Sequence, residues 1–373
     1  MGKDLGPNRL LSLDVFRGLT VFAMVLVNNP GDWGHIYAPL EHAAWNGCTP
    51  TDLIFPFFLF IVGVSIVFAM ETKKADPSQH KKLMLNVWRR TAILLFLGWF
   101  LSGYPHFNLH TIRIPGVLVR IGVVFGICGS LYLTTTRKAQ FWLFWLFLIS
   151  YYLIMTLIPV PGTGHASLEA ETNLGAWLDR TLIGEAHLWK ESKTWDPEGM
   201  LGTIPACATT LFGIMIGTWL KRKDKDEATK IAWMFSAGIL AIILGLLWDL
   251  FFPINKALWT SSYVLYAGGL ATVGLALFYW IVDVQGYKRF TKPMVVYGVN
   301  AIFVFCFSAL LVRTLGLIHV TAKQITVSQY IFQTVFKPHF SPVNASLAWA
   351  ICFNLFFMLI LWIMYNRKII IKV

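Results

Sequence analysis

An all-α polytopic membrane protein, a bundle of about ten transmembrane helices with both termini cytoplasmic, is the fold this chain predicts. Three observations predict it. Of its 373 residues 56% are hydrophobic and only 13% charged, with a mean hydropathy of +0.61, far from the balance of a soluble globule. Apolar windows of about 20 residues, the length that crosses a hydrocarbon core, recur along the whole chain. They lie near 10–29, 53–71, 87–103, 114–133, 139–158, 200–220, 231–251, 261–282, 294–313 and 344–365. Lys and Arg, finally, gather in alternate loops, as they do on a cytoplasmic face.

Taken in order, the first window carries Asp14, Arg17, Asn28 and Asn29 and no small-residue cleavage site, so it reads as a retained anchor rather than a signal peptide. A polar loop follows, Glu41-His-Ala-Ala-Trp-Asn-Gly-Cys-Thr-Pro-Thr-Asp52, and the second window starts at its end. The third window, 87–103, is short; the fourth holds Arg120. Between the fifth and sixth lies a long loop, 159–199, with Glu169, Glu171, Asp179, Glu185, Glu191, Asp196 and Glu198 against Arg180, Lys190 and Lys193. Its Pro, Gly and Trp content predicts a folded lid. Asn300 falls in the ninth window, and the loop at 314–343 spaces Ile325, Tyr330, Ile331, Val335 and Phe336 as an interfacial helix would. No internal repeat is evident, so 1–373 reads as a single domain.

One set of loops contains Lys3 and Arg9, the run from Lys73 to Arg90, Arg137 and Lys138, Lys221 to Lys230, Lys288 to Lys292, and Arg367 to Lys372. The other set has only Arg113, Arg180, Lys190, Lys193, Lys256, Lys323 and Lys337, which places the His42 loop on the outer side. The net charge of +12 therefore belongs mostly to loops beside anionic lipid, and no nucleic-acid site is implied. Of five cysteines only Cys48 stands in a polar loop, which gives neither a disulfide framework nor a metal-ligand spacing.

Among nine histidines, His42 has the richest company: Trp45, Asn46 and Asp52 within ten residues, and Asn28 ending the preceding window. An imidazole there can take a proton from an amine or carry an acyl group. Asp52 can fix its tautomer, or can simply cap the helix that begins beside it. Asn46 with Gly47 reads equally as a turn and Trp45 as an interfacial anchor. Intramembrane polar groups need a partner or a wet cavity. Asn28 and Asn29 meet that condition by tying helices together or by facing a site; Arg17 pairs with Asp14 at i, i+3 or faces a ligand; Arg120 lines a polar passage.

Several blocks carry a family resemblance that runs over nearly the whole chain: Asp14-Val-Phe-Arg-Gly18, the His42 loop, Ile114-Pro-Gly-Val-Leu-Val-Arg-Ile121, Asp196-Pro-Glu-Gly-Met-Leu-Gly-Thr-Ile-Pro205, Phe252-Pro-Ile-Asn-Lys-Ala-Leu-Trp-Thr-Ser-Ser-Tyr263 and Tyr297-Gly-Val-Asn-Ala301. The chain resembles the heparan-α-glucosaminide N-acetyltransferases, and within them the bacterial branch that acetylates glucosamine, because no amino-terminal luminal domain precedes the first window. The resemblance implies a transmembrane acetyltransferase of a bacterial inner membrane, using acetyl-CoA as co-substrate, no metal, and an amino sugar as acceptor, with homodimerisation as a family expectation. It implies His42, Asp52 and Asn28 as the catalytic group, Asn28 holding the acetyl oxygen. It implies Arg17, Arg120 and Asn300 on the coenzyme, and Trp45, Asn46, Lys256 and Trp259 on the sugar, Trp259 by stacking.

Acetyl-CoA is made in the cytosol and His42 is predicted on the other face of a core about 30 Å thick, so the pantetheine arm has to thread between helices. Direct attack of the amine on the thioester and prior acetylation of His42 are both compatible with these residue types. Two other functions compete: O-acetylation of a surface polysaccharide, and a multi-span sugar transporter whose polar groups line a path, although neither paired repeats nor broken helices are legible.

Overall fold

A computed structural model describes residues 10–320 and 325–371; Lys3, Arg9, Lys323 and Lys372, used above to orient the chain, lie outside the described residues. Within them the chain is helical, with α1 Leu11–Asn28, α2 Ile54–Lys74, α3 His80–Gly103, α4 Val117–Thr134, α5 Arg137–Leu157, α6 Leu174–Leu182, α7 Thr203–Leu220, α8 Glu227–Asp249, α9 Ser261–Phe278, α10 Lys292–Val299, α11 Ala301–Leu317, α12 Val327–Ile331 and α13 Pro342–Asn366. Among the described residues nine straight helical stretches are long and apolar enough to cross a membrane, and α10 with α11 makes a tenth only as a pair bent by 76°.

Nine of the ten predicted windows correspond to straight helices, with two departures. The third helix starts at His80, not 87, so Lys81 and Lys82, as well as the Arg89 and Arg90 counted with them as loop charges, belong to a helix. The ninth window, expected as one span, is broken at Asn300, whose backbone (φ −116°, ψ 34°) leaves the helical region. A broken helix is therefore present after all. Length and hydropathy do not register it because both halves are apolar.

Which helices face lipid follows from their burial. The most apolar windows of α2, α4 and α7 are 61%, 61% and 72% buried, whereas those of α3, α5 and α8 are 22%, 28% and 28% buried. The first group forms the centre, joined by α9 and α1. The second shows Phe96, Trp142, Leu146, Ile243 and Leu247 outward, as a helix must when its surroundings are hydrocarbon.

Close crossings hold the centre together, since helices in lipid gain no hydrophobic drive toward one another and rely on packing at small residues. At the α2/α7 crossing a Cβ on Gly63 would stand 2.1 Å from the Thr210 carbonyl oxygen, and one on Gly213 2.1 Å from that of Phe60. At the α1/α10 crossing a Cβ on Gly18 would stand 1.7 Å from the Met294 oxygen. Backbone cannot yield as a flexible side chain does. Gly18→Val is therefore expected to lower stability toward or beyond the upper end of the about 1–3 kcal/mol of overpacking. A thermal melt in detergent checks this, Gly274→Ala serving as control because its Cβ meets only the Phe16 ring edge at 3.3 Å.

The loops at one end of the bundle are folded, not slack. Loop 159–199 contains α6, capped by Asn173 whose Oδ1 accepts from Ala176 N at 2.8 Å, and is tied to the loop after α1 where Trp45 Nε1 donates to the Leu168 oxygen at 3.1 Å. The stretch predicted as an interfacial helix holds α12 and the π-turn Phe332–Phe336, whose Phe332 and Phe336 rings pack on Trp349 of α13.

Candidate active site between two stacked cavities

The His42 loop is built by Asp52. Pro50–Leu53 forms a single 3-10 turn ahead of α2, and the Asp52 carboxylate, 1% exposed, divides its two oxygens between two tasks. Oδ2 accepts from the backbone N–H groups of Thr49 and Ala43, both at 3.0 Å, which is the helix-capping role. Oδ1 accepts from His42 Nδ1–H at 2.6 Å, which is the tautomer-fixing role. The two readings of Asp52 are thus both realised, one per oxygen. With Nδ1 committed, the Nε2 lone pair is left for chemistry.

Lys256 Nζ stands over the ring, 3.2 Å from that nitrogen and 3.3 Å from Nδ1. Lys256 sits in the α8–α9 loop, 214 positions away in sequence, and the loop is fixed by a buried asparagine that sequence reading passed over. Asn255, fully buried, accepts from Leu258 N at 2.9 Å, takes Thr260 Oγ1 on its own N–H at 3.0 Å, and donates through Nδ2 to Asn46 Oδ1 at 3.1 Å. Gly47, at φ +106°, lets its N–H reach the Ile254 oxygen at 2.7 Å. This lattice also holds Trp259 in the left-handed region at φ +57°, a conformation that a non-glycine residue keeps only when its surroundings impose it. Burial pushes the Lys256 amine below its ordinary value, against the upward pull of Glu198 and Asp52. Burial also pushes the Cys48 thiol beside it up to about 12, which disfavours its thiolate.

His42, Lys256 and Asn28 line one cavity of about 260 Å³, together with Arg113, Trp189 and Glu198. The two asparagines ending α1 separate in placement: Asn29 is buried and its Nδ2 donates back to the Val25 oxygen at 2.7 Å, while Asn28 faces the cavity. The roof is pinned by Arg113, which donates to Asp196 Oδ2 and Oδ1 at 2.8 and 2.6 Å and to Glu198 Oε2 at 2.5 Å. Burial alone pushes this guanidinium down, but the two carboxylates outweigh it and hold it above its ordinary value.

A second cavity of about 610 Å³ lies toward the other end of the bundle, lined by Arg17, Arg90, Ser65, Phe125 and the tail residues Ile370 and Ile371. The two cavities share Phe58, Ala301 and Ile302, which form the wall between them. Arg17 lies eleven residues before Asn28 on α1, about 16 Å along the helix axis. Its Nη2 donates to Ser65 Oγ at 2.7 Å and its Nη1 to Asp14 Oδ1 at 3.2 Å. Arg90 stacks 4.6 Å from the Phe125 ring centre, and its buried Nε has no hydrogen-bond acceptor among the described residues. Arg90 was counted as a loop charge from sequence; its place one turn inside an apolar stretch was the available signal.

Other predicted site residues lie elsewhere. Arg120, 3% exposed, donates to the carbonyl oxygens of Pro197 and Gly199 at 3.0 and 2.7 Å and lines neither large cavity, so it fastens the outer loop to α4. Trp259 is fully buried, with Nε1 donating to Thr209 Oγ1 at 3.0 Å and an edge-to-face contact to Phe55; it has no open face for a sugar. Trp45 packs edge to face on Trp195 and Asn46 is engaged with Asn255, so both brace loops at the rim. Asn300 spends its amide on the chain's own tail, accepting from Ile371 N at 2.9 Å and donating to the Ile369 oxygen at 3.1 Å, which folds that tail across the second cavity.

Comparison with known proteins gives the family. The family model described as heparan-alpha-glucosaminide N-acetyltransferase, catalytic, matches residues 9–252. The chain is 32% identical to a Mus musculus protein named heparan-alpha-glucosaminide N-acetyltransferase, over 80% of this chain and 53% of that protein. It is 31% identical to the Homo sapiens protein of the same name, over 80% of this chain and 52% of that one. The chain thus spans about half the length of these curated relatives. An all-helical, membrane-spanning architecture, a His–Asp pair opening on a largely apolar chamber, and a family match over most of the chain lead to one conclusion: this protein belongs to the heparan-alpha-glucosaminide N-acetyltransferase catalytic family.

Proposed function

We propose that the protein is a transmembrane N-acetyltransferase that moves the acetyl group of acetyl-CoA to the amine of glucosamine or of a terminal glucosaminide. The observation that carries this reading is the stacking of the His42 chamber on a second cavity with two arginines in its wall. Guanidinium groups suit phosphate, and the unsatisfied Arg90 Nε is a donor that an anionic ligand would complete. The residues present therefore fit a coenzyme whose phosphates rest near Arg17 and Arg90 and whose pantetheine arm passes Phe58 toward His42. The basic loops at that end favour the cytoplasm, with the other end in the periplasm of a bacterial inner membrane.

The acceptor enters the chamber beneath Trp189 and Glu198, and its ammonium gives a proton to His42 Nε2. Asp52 keeps Nδ1–H in place and stabilises the imidazolium as it forms. The freed amine attacks the thioester carbonyl, with Asn28 donating to the developing oxyanion. The same Nε2 lone pair also suits an acetyl-histidine route, in which the imidazole is acylated first and the amine attacks afterwards. The acidic outer loop attracts a cationic sugar over an anionic one.

Purified protein supplied with acetyl-CoA and, in turn, glucosamine, its oligomers and hydroxyl-bearing sugars tests the reading. Release of coenzyme A that depends on the amine is expected. Acetylation of hydroxyl acceptors in preference to amines, or sugar uptake into liposomes with no acetyl-CoA consumed, would replace it with the O-acetyltransferase or the transporter.

A further inference from the structure

The amine nearest His42 belongs to the protein itself. Lys256 Nζ stands 3.2 Å from Nε2 and 3.3 Å from Nδ1, over the ring, and 4.0 Å from Asp52 Oδ1. It lines the chamber that the acceptor must enter. We propose that Lys256 is an internal acetyl acceptor, so that the enzyme acetylates its own Lys256 side chain when acetyl-CoA is present and no amino sugar is. The inference rests on the proposed delivery of the thioester to His42.

Geometry makes the case. An acceptor amine has to reach the in-plane lone pair of Nε2 to lose its proton, and Lys256 Nζ, held over the ring at 3.2 Å from that nitrogen, reaches it by rotation of its own side chain. The Asn255 lattice removes the loop's freedom to swing the side chain's root away, and the side chain is 20% exposed, so it shares the chamber instead of pointing to bulk water. A buried ammonium is also the easier one to deprotonate. The lysines of the outer loop, Lys190 and Lys193, are exposed, and neither lines the His42 chamber.

The step balances without any further reagent. The Lys256 ammonium gives one proton to His42 Nε2, and its nitrogen forms a bond to the acetyl carbonyl carbon. The carbon–sulfur bond of the thioester breaks, the nitrogen releases its second proton to water, and the leaving thiolate takes the proton held on His42. Coenzyme A and Nε-acetyl-lysine are the products. The charge that faced His42 and Asp52 is lost, and an acetyl group now fills the acceptor's place, so turnover stops. Bound amino sugar displaces Nζ from Nε2 and protects the enzyme.

The full-length purified protein is incubated with radiolabelled acetyl-CoA with and without glucosamine, and the label is mapped by mass spectrometry after chymotryptic digestion. Without glucosamine the expected result is one acetyl per chain on the peptide containing Lys256, stable to neutral hydroxylamine. It should exceed the label at Lys190 by more than about a hundredfold, a modest fraction of what confinement of amine and thioester gives. Glucosamine suppresses it, and His42→Ala and Lys256→Arg abolish it. Four results overturn the proposal. A hydroxylamine-labile label on His42 with none on Lys256 does so, as does label spread evenly over surface lysines and unchanged in His42→Ala. Turnover of glucosamine with no label at Lys256 refutes the inference alone, whereas absence of both turnover and label removes the proposed function with it.

Discussion

Asp52→Asn should cut kcat for acetyl transfer by on the order of 10³- to 10⁴-fold, with little change in the KM for either substrate. The reason lies in which atom carries the proton. Asp52 Oδ1 accepts from Nδ1–H at 2.6 Å, which leaves Nε2 basic. An asparagine can keep its oxygen on the Thr49 and Ala43 N–H groups, so the turn and the start of α2 survive. Its NH2 then meets Nδ1, which has to become the acceptor, and the proton moves to Nε2. A protonated Nε2 neither takes a proton from the amine nor attacks a thioester. His42→Ala should lose at least as much, and Asp52→Asn combined with His42→Ala no more than the larger single loss, because the two act as a unit. Single-turnover measurements at saturating acetyl-CoA separate this loss from one of binding. Unchanged kcat in Asp52→Asn would reduce Asp52 to a helix cap.

Arg113→Ala should be the most destabilising single change at the outer end, by about 3–5 kcal/mol, the usual cost of leaving buried charge without its partner. Asp196 and Glu198 are 5% and 9% exposed and both depend on this guanidinium. Alanine leaves two neighbouring carboxylates facing each other. The loop 159–199 then loses its ion-pair tie to the α3–α4 connection, keeping the hydrogen bonds of His187 with Ile112 and Ile114, and Glu198 is released from its place at the chamber rim. Neutralising both acids in the same chain, Asp196→Asn with Glu198→Gln, should recover most of the lost stability while leaving activity impaired. Thermal melts of the three proteins in one detergent make the comparison, and an Arg113→Ala melt equal to wild type would show the pair to be solvated.

The spans were readable because hydrocarbon imposes one length on every helix, and the ends of α2, α4, α5 and α13 fall close to the apolar windows. The break at Asn300 was not, because hydropathy is blind to direction: Val299 and Ala301 are apolar whether or not the helix turns through 76° between them. At the site, His42, Asp52 and Asn28 come from two adjacent segments, and the local motif foretells their meeting. Arg17 lines the second cavity and also pairs with Asp14, the i, i+3 partner that its sequence spacing offered. Lys256 was visible only through the family block, and its contact with His42 depends on Asn255, whose four polar contacts nothing in the local sequence announces. Arg120 and Trp259 show the opposite failure. A charged or aromatic residue in a recurrent block can serve the scaffold that positions a site, and here they clasp each other at 5.2 Å beneath the outer loop. Arg90 was hidden by its basic neighbours, since a charge run looks like a solvated face until the helix axis places one member inside.

The central claim is that donor and acceptor reach the chamber from opposite ends of the bundle, and sidedness in sealed vesicles tests it most directly. Protein reconstituted in one orientation is given radiolabelled acetyl-CoA only on the side of the basic loops and glucosamine only on the side of the His42 loop. The account predicts that acetylated sugar accumulates on the His42 side while coenzyme A stays on the other, and that reversing the two substrates gives no product. Product that forms only when both substrates share one compartment would contradict it.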